Sequence, residues 1–302
     1  MRHRVLGTWA ALAILPFLVP STALATSMVI YGLYALGFNL LFGWGGLLSF
    51  GHAALLGGGA YATGIALVHF GWPWWAAILA APLAGALVAL LMGVFAVRTR
   101  GIYFAMVTLA LSQVFYYIAN QASGWTGGEN GLRGVNLRIV FGFDALNPMT
   151  RYALVAVCVG IAAALVSRML NSPFGAALSA LRENEDRARA CGFDVRLTRL
   201  VVFVVSGAVC GLAGGLLAIH LSVVPVETMH YATSGLAVMM AILGGMYTFF
   251  GPFVGAAAFL ALESVIAEYT EHWPLVAGVV FIACVLFFRD GIWGTAMKLS
   301  RR

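Results

Sequence analysis

The sequence has few charged side chains. Only 9% of its 302 residues are Asp, Glu, Lys or Arg, whereas 62% are hydrophobic, and the mean hydropathy is +0.95. A soluble domain has roughly 25% charged residues, which keep its surface hydrated. The apolar runs are also longer and more numerous than a soluble core requires. The composition therefore excludes a soluble globular domain and predicts helices embedded in lipid.

Lysine is almost missing from the chain. Lys298 is the only one, and no Gly-x-x-x-x-Gly turn precedes it. A P-loop needs a lysine directly after its glycines to reach the nucleotide phosphates. The chain is therefore not expected to hydrolyse ATP, to be an enzyme or to bind a cofactor. If ATP drives this protein, ATP and Mg²⁺ must be bound by separate subunits.

Metal-binding and disulfide patterns are also missing. The six histidines are scattered, and none stands in a His-Glu-x-x-His sequence. The cysteines Cys158, Cys191, Cys210 and Cys284 show neither metal-ligand spacing nor a readable disulfide framework. In so apolar a chain, the net charge of +6 bears on orientation in the membrane. Nucleic acid is not an expected partner.

Long apolar segments recur along the whole chain. A membrane span needs ~20 mostly apolar residues. By this rule the sequence predicts an all-α, polytopic transmembrane bundle of about ten spans. The candidate spans are 5–22, 26–43, 51–69, 74–97, 102–119, 152–170, 200–222, 234–250, 252–268 and 274–288.

The positions of the basic residues predict the orientation. With ten spans and both termini in the cytoplasm, all but three of the 17 Lys and Arg residues fall on the inside. The exceptions are Arg133, Arg138 and Arg151. Basic residues collect on the cytoplasmic side of membrane proteins, so this bias supports the assignment.

The N-terminus admits a second interpretation. Arg2 and Arg4, the apolar stretch after them and the Ala23-Leu24-Ala25 sequence resemble a secretory signal peptide. Cleavage of residues 1–25 would leave nine spans and reverse none of them. We expect this segment to be retained as a membrane helix.

Two hydrophilic segments interrupt the apolar pattern. Residues 120–151 form a polar, glycine-rich segment that is predicted to lie outside. Residues 171–199, predicted to lie inside, carry four acidic and five basic residues. Neither segment is long enough to form a soluble domain of its own. Residues 1–302 are therefore expected to form a single membrane domain.

The inside segment predicts a short amphipathic helix. Ser172 and Pro173 are favourable residues for a helix start, and Gly192 is a favourable end. Apolar and charged residues between them separate onto two faces; they are Phe174, Ala177, Leu178 and Leu181, and Arg182, Glu185, Asp186 and Arg189. The helix could dock on a soluble partner or lie on lipid headgroups. The mixed charge argues against simple binding to anionic lipid and favours docking.

Glycines mark two further features. Gly45-Gly46 before Phe50-Gly51 is echoed by Gly244-Gly245 before Phe250-Gly251. Matched glycine-interrupted segments can indicate a transporter repeat, although glycine is also common at membrane turns. Separately, one helix face is predicted to pack closely on a neighbour because glycines recur on it every four residues; these are Gly207, Gly211 and Gly215.

Polar residues within apolar segments are candidates for lining a substrate path. Such groups are costly in hydrocarbon, so they face a cavity or one another. The candidates are Asn39, Ser49, His52, Gln113 and Glu263. Each could equally form an interhelical hydrogen bond, as could His220.

Several stretches, read in order, resemble one known family. They are LGFNLLFG at 36–43, GGLLSFGH at 45–52, RGIYFAMVTL at 100–109, TGGENGL at 126–132, SPFG at 172–175, LRENE at 181–185 and RDGIWG at 289–294. Together they resemble the LivM-type permease subunit of branched-chain amino-acid ABC importers. The likeness covers almost the whole chain.

The resemblance implies an architecture of several subunits in the bacterial inner membrane. It implies a LivH-type second permease, two cytoplasmic ABC ATPases and a periplasmic substrate-binding protein. It also implies that residues 173–192 match the coupling helix that inserts into the ATPase. The residues expected in that role are Pro173, Phe174, Gly175, Leu178, Arg182, Glu183, Asn184, Glu185 and Gly192.

Other functions stay open at this stage. Urea and short-amide permeases resemble the same family, and a largely apolar path fits those substrates nearly as well as Leu, Ile or Val. An ion-coupled secondary transporter would need intramembrane carboxylates, for which Glu263 alone gives little support. A structural membrane subunit without a substrate path would co-purify with neither an ATPase nor a second permease.

Overall fold

The computed structural model describes residues 2–19, 21–135, 139–140, 143–144, 147–269, 273–287 and 290–300. Four arginines whose side of the membrane is predicted above lie outside these ranges. They are Arg138, Arg289, Arg301 and Arg302. The helices are α1 (Arg2–Leu18), α2 (Thr22–Asn39), α3 (His52–Val68), α4 (Trp74–Ala96), α5 (Ile102–Gln121), α6 (Ser123–Thr126), α7 (Pro148–Leu170), α8 (Pro173–Glu183), α9 (Glu185–Ala190), α10 (Val195–Leu221), α11 (Tyr231–Gly244), α12 (Gly251–Tyr269), α13 (Trp273–Phe287) and α14 (Gly291–Ser300).

Short irregular helices and strands complete the described chain. A π-helical turn, Leu40–Trp44, extends α2, and 3₁₀ turns cover Gly128–Asn130 and Val226–Met229. The strands are β1 (Leu132–Arg133), β2 (Ile139–Val140), β3 (Phe143–Asp144) and β4 (Val223–Val224). β1 pairs antiparallel with β4, and β2 with β3. The prediction of purely helical structure thus missed two small sheets.

The predicted apolar segments coincide with helices α1–α5, α7 and α10–α13. Six helices in the described part of the chain are long and apolar enough to cross a membrane: α2 with its π turn, α4, α5, α7, α10 and α12. The remaining four contain shorter apolar stretches. A multi-pass helical membrane fold is therefore confirmed. The higher number of nine to ten spans stays a prediction.

Helix α10 is the centre of the bundle and packs on α2, α3 and α4. Gly207, Gly211 and Gly215 lie along its contact with α4, where a Cβ on Gly211 would come within 2.8 Å of the Cα of Gly85. The backbones approach this closely because small residues face each other. Gly211 also contacts Gly59 of α3.

Helix α1 packs on α7. The hydroxyl of Tyr152 donates a hydrogen bond to the carbonyl oxygen of Leu12 at 2.5 Å, and the ring of Trp9 lies against Gly160. Leu12 and Tyr152 are both buried. The first apolar segment is therefore packed as part of the helical bundle.

The connecting segments gather at two ends of the bundle. At one end, Arg182 of α8 contacts Gly43 and Tyr247, so the turns after α2 and α11 meet there. At the other end, β1 pairs with β4, and the imidazole of His69 is 3.2 Å from the carbonyl oxygen of Trp125. Three segments predicted to be inside thus share one end: α8 and the turns after α2 and α11. We call it the arginine-rich end, because Arg100, Arg189 and Arg199 also lie there around Glu185 of α9.

Candidate functional site

The predicted amphipathic helix is two helices, α8 and α9. They separate at Asn184, whose backbone is extended (φ −159°, ψ 109°). The side-chain oxygen of Asn184 accepts a hydrogen bond from the backbone N–H of Arg187 at 2.9 Å. An Asn that caps a new helix in this way satisfies an otherwise free N–H group, which explains why the chain breaks there.

The two ends of the α8–α9 segment differ in their capping. Ser172 occupies the N-cap position, yet its hydroxyl donates back to Met169 at 2.6 Å instead of capping α8. After α9, Gly192 adopts φ +88°, and the N–H groups of Gly192 and Phe193 donate to the carbonyl oxygens of Arg189 and Ala188. This pairing is a Schellman motif, which needs a residue tolerant of positive φ.

The apolar face of α8 is anchored in the chain's own core. Gly175, Leu178 and Leu181 are buried, and Phe174 is half-buried against the same core. A Cβ on Gly175 would meet the backbone of Leu170. The family resemblance assigned Phe174, Gly175 and Leu178 to contact with an ATPase. In this structure Gly175 and Leu178 are hidden where α8 packs on α7 and α10, so they are not accessible to a partner, whereas Phe174 keeps part of its surface exposed.

The opposite face of the α8–α9 segment is exposed and charged. Pro173, Glu183, Asn184, Asp186 and Arg187 are exposed. Acidic and basic groups are interspersed along this face, which suits specific pairing with a protein surface. We call this set the α8–α9 surface.

Arg182 joins α8 to the two glycine turns, which are the Gly45-Gly46 turn after α2 and the Gly244-Gly245 turn after α11. Its Nη1 donates to the carbonyl oxygen of Gly43 at 3.0 Å, and its guanidinium carbon lies 4.5 Å from the ring centroid of Tyr247. A Cβ on Gly46, which has φ +67°, would be 3.1 Å from the Arg182 side chain. Movement of α8 would therefore be transmitted directly to the turns that follow α2 and α11.

Asn39 joins the same two turns from inside the bundle. It is fully buried, and its Nδ2 donates to the carbonyl oxygen of Thr248 at 3.2 Å. Its Oδ1 makes no hydrogen bond to the described residues. The two echoed glycine segments are thus adjacent in space and bridged by Asn39 and Arg182.

Glu185 collects three arginines at the arginine-rich end. Its carboxylate oxygens lie 2.9 Å from Arg100, 3.0 Å from Arg189 and 2.7 Å from Arg199. Only 18% of the Glu185 side chain and 10% of the Arg199 side chain are exposed. Glu185 therefore ties α9 to the α4–α5 turn and to the start of α10.

Two of the substrate-path candidates hold the core together instead. His52 is fully buried between Phe38 and Phe203, and its Nε2 lies 2.9 Å from the hydroxyl of Ser206. Ser206 gives its one proton to the carbonyl oxygen of Gly37, so His52 is the donor in this pair.

Ser49, also fully buried, uses its hydroxyl to accept from the N–H of Gly51. It thereby shapes the turn that leads into α3. Ser49 and His52 are therefore enclosed by the bundle in this structure, and their place on a substrate path stays a prediction.

The remaining candidates lie on separate helices. Gln113 is half-buried on α5, and its Nε2 makes no hydrogen bond to the described residues. Glu263 is half-buried on α12. His220 lies 3.1 Å from the hydroxyl of Ser27. The structure does not bring Gln113 and Glu263 together.

Sequence reasoning missed several residues of this end. Arg100, Arg199 and Tyr247 contact Glu185 or Arg182, although 85 residues separate Arg100 from Glu185 along the chain. Charge alone could have suggested the arginines. Their common partner depends on how the helices pack, which the local pattern does not contain.

The chain is similar to known transport proteins. The family model described as branched-chain amino acid transport system / permease component matches residues 21–288. The high-affinity branched-chain amino acid transport system permease protein LivM of Escherichia coli K12 is 26% identical, covering 92% of this chain and 71% of that protein. The autoinducer 2 import system permease protein LsrC of E. coli O157:H7 is 25% identical over 59% of this chain and 53% of that protein.

A solved structure shares the fold. It is a transporter described as an ABC transporter of the metal-chelate type, in an inward-facing conformation. The TM-score is 0.53 at 16% identity, with 92% of this chain and 91% of that chain covered. At this identity the likeness concerns the fold alone.

Proposed function

The chain belongs to the family of branched-chain amino acid transport permeases, and from that premise we propose that it is the membrane subunit of an ABC importer for Leu, Ile or Val. The observation that carries this proposal is the extent of the similarity to LivM, which takes in 92% of the chain. The similarity to LsrC covers only 59% of it, so branched-chain amino acids are favoured as the substrate class.

The resemblance to LivM-type permeases implies the working complex. In it, two cytoplasmic ABC ATPases supply the power and hold ATP and Mg²⁺, which fits a chain without a P-loop lysine. A LivH-type second permease completes the membrane part, and a periplasmic binding protein delivers the substrate. We place the chain in the bacterial inner membrane as a single domain of about ten spans, with α1 retained and both termini inside.

The α8–α9 surface is the proposed contact with the ATPase. Glu183, Asn184 and Arg187 are exposed there, while Leu178 and Leu181 hold α8 rigidly to the bundle. Closure of the two ATPases would push this segment. Arg182 and Glu185 would pass the movement to the glycine turns and to the start of α10, because they contact those elements directly.

The substrate path is proposed to run along α5. One face of this helix is exposed, yet polar side-chain atoms of Ser112, Gln113 and Asn120 are buried without hydrogen bonds to the described residues. A buried polar atom without a hydrogen bond is costly, so the buried side of α5 suits a hydrated path. The exposed and mostly apolar face of α5 suits contact with the second permease. We therefore expect Gln113→Leu to raise the KM for leucine uptake, whereas Val157→Leu on exposed α7 should not.

Uptake of labelled leucine tests the function. The chain is produced together with the transport proteins encoded beside its gene, in cells that lack their own leucine importer. We expect uptake that requires ATP and stops when the P-loop lysine of the ATPase is replaced. Uptake that survives ATP depletion and collapses with the ion gradient would make the chain a secondary transporter. Uptake of urea in place of leucine would support the short-amide alternative.

Charge reversal tests the coupling contact. The variant Glu183→Lys/Arg187→Glu should lose the ATPase during purification, because charges on the α8–α9 surface would meet like charges on the partner. Arg168→Gln, an exposed position at the end of α7, is the control and should retain the ATPase. Full recovery of the complex with the double variant would remove this surface from the mechanism.

A further inference from the structure

A cavity of about 450 Å³ opens at the arginine-rich end, beside the α8–α9 surface. It lies between the α4–α5 turn and the segment that leads from α9 into α10. Five arginines and two carboxylates line it. The arginines are Arg98, Arg100, Arg189, Arg196 and Arg199.

The positive charge of this cavity is not balanced from within. The carboxylate of Glu185 is shared among three of the arginines. Asp194 uses its carboxylate to cap α10 by accepting from the N–H of Leu197 at 3.0 Å. Among the described residues, Arg98 and Arg196 form no ion pair.

One of these arginines is poised for a further acceptor. Arg199 is only 8% exposed, and one of its Nη atoms is held by Glu185 at 2.7 Å. Its Nε is buried and has no acceptor among the described residues. Because a buried, unpaired N–H group of a cation is costly, an anion in the cavity would satisfy it.

The surroundings of the cavity are apolar and exposed. Ile102 and Tyr103 at the start of α5 are 71% and 70% exposed, and Leu197 on the first turn of α10 is 57% exposed. These side chains adjoin the arginines at the ends of membrane helices. Exposed apolar side chains next to arginines suit the boundary between hydrocarbon and lipid headgroups.

We propose that this cavity is a binding site for the phosphate of an anionic phospholipid in the cytoplasmic leaflet. Guanidinium groups suit phosphate because they donate two parallel hydrogen bonds, and basic pockets between membrane helices bind such headgroups. The exposed apolar side chains at the mouth favour a lipid over free phosphate, since they can contact the acyl chains. This site is independent of the substrate that the chain transports.

Lipid titration with native mass spectrometry tests the site. The full chain is stripped of bulk lipid in detergent and titrated with dioleoyl phosphatidylglycerol or dioleoyl phosphatidylcholine. We expect the first phosphatidylglycerol molecule to bind at a much lower lipid concentration than the first phosphatidylcholine molecule. Arg98→Gln/Arg196→Gln should weaken it about 30-fold, by the typical contribution of two arginines at a lipid surface. Both residues are exposed, so folding is preserved.

Matched controls decide the outcome. Arg133→Gln/Arg168→Gln removes the same charge from exposed positions outside the cavity and should leave binding unchanged. Equal binding of the two lipids, or equal weakening by both double variants, would overturn the proposal. So would displacement of phosphatidylglycerol by low millimolar inorganic phosphate, which would identify a free-anion site. If Arg98→Gln/Arg196→Gln leaves lipid binding unchanged and instead loses the ATPase when the whole transport complex is purified, the cavity is a protein interface and the proposal is overturned.

Discussion

Replacement of Glu185 by glutamine tests the connection between α9 and the bundle. The substitution keeps the size of the side chain and removes the charge shared by three arginines. Arg199 would remain almost buried without a carboxylate, and breaking a buried pair costs about 3–5 kcal/mol. Arg100 and Arg189 are more than half exposed, so each contributes at most about 1 kcal/mol. Because Glu185 retains some exposure, we expect a loss of about 2–4 kcal/mol.

The assay is reversible unfolding in mixed micelles, with SDS as denaturant, in a double-mutant cycle. Glu185→Gln is combined with Arg199→Met and, separately, with Arg100→Gln. The coupling free energy should exceed about 1 kcal/mol for the Arg199 pair and stay below that for the exposed Arg100 pair. A stability unchanged by Glu185→Gln, or equal coupling in the two cycles, would refute the reasoning.

Two further perturbations separate packing from transport. Gly211→Val should lower the free energy of unfolding by about 1–3 kcal/mol or more, because its new side chain meets the backbone of Gly85. Gly235→Ala, where a Cβ meets nothing within 4 Å, should have no such cost in the same unfolding measurement. His52→Leu should cost about 1–3 kcal/mol by removing the hydrogen bond to Ser206, while the KM for leucine uptake stays unchanged. A raised KM with unchanged stability would instead place His52 on the substrate path.

The sequence predicted the features that depend on local composition. Apolar runs located the membrane helices, and the Gly207–Gly211–Gly215 spacing indicated the face on which α10 packs. Glycine at 192 indicated the end of α9, because positive φ is needed there whatever the surroundings. These signals are readable since each depends on neighbours within a few residues.

Features that depend on packing were predicted poorly. The break at Asn184 was missed because charged residues on both sides of it keep a helical spacing, whereas the side-chain cap of Asn184 starts a new helix. Leu178 was assigned to contact with a partner because it is apolar. The structure shows it buried, since α8 packs closely on the bundle, and the sequence does not indicate how closely. His52 and Ser49 were read as path residues, since polarity in an apolar segment does not distinguish a lining group from an interhelical hydrogen bond.

The central claim is that the α8–α9 surface lies in the cytoplasm and receives the ATPase. Cys191, exposed at the end of α9, gives a natural probe, while Cys210 is buried. A membrane-impermeant maleimide is applied to intact spheroplasts and to inside-out vesicles, with and without the bound ATPase, and the labelled cysteine is identified by mass spectrometry. We predict labelling of Cys191 only in inside-out vesicles, and its protection by the ATPase. Labelling of Cys191 in intact spheroplasts would contradict the account.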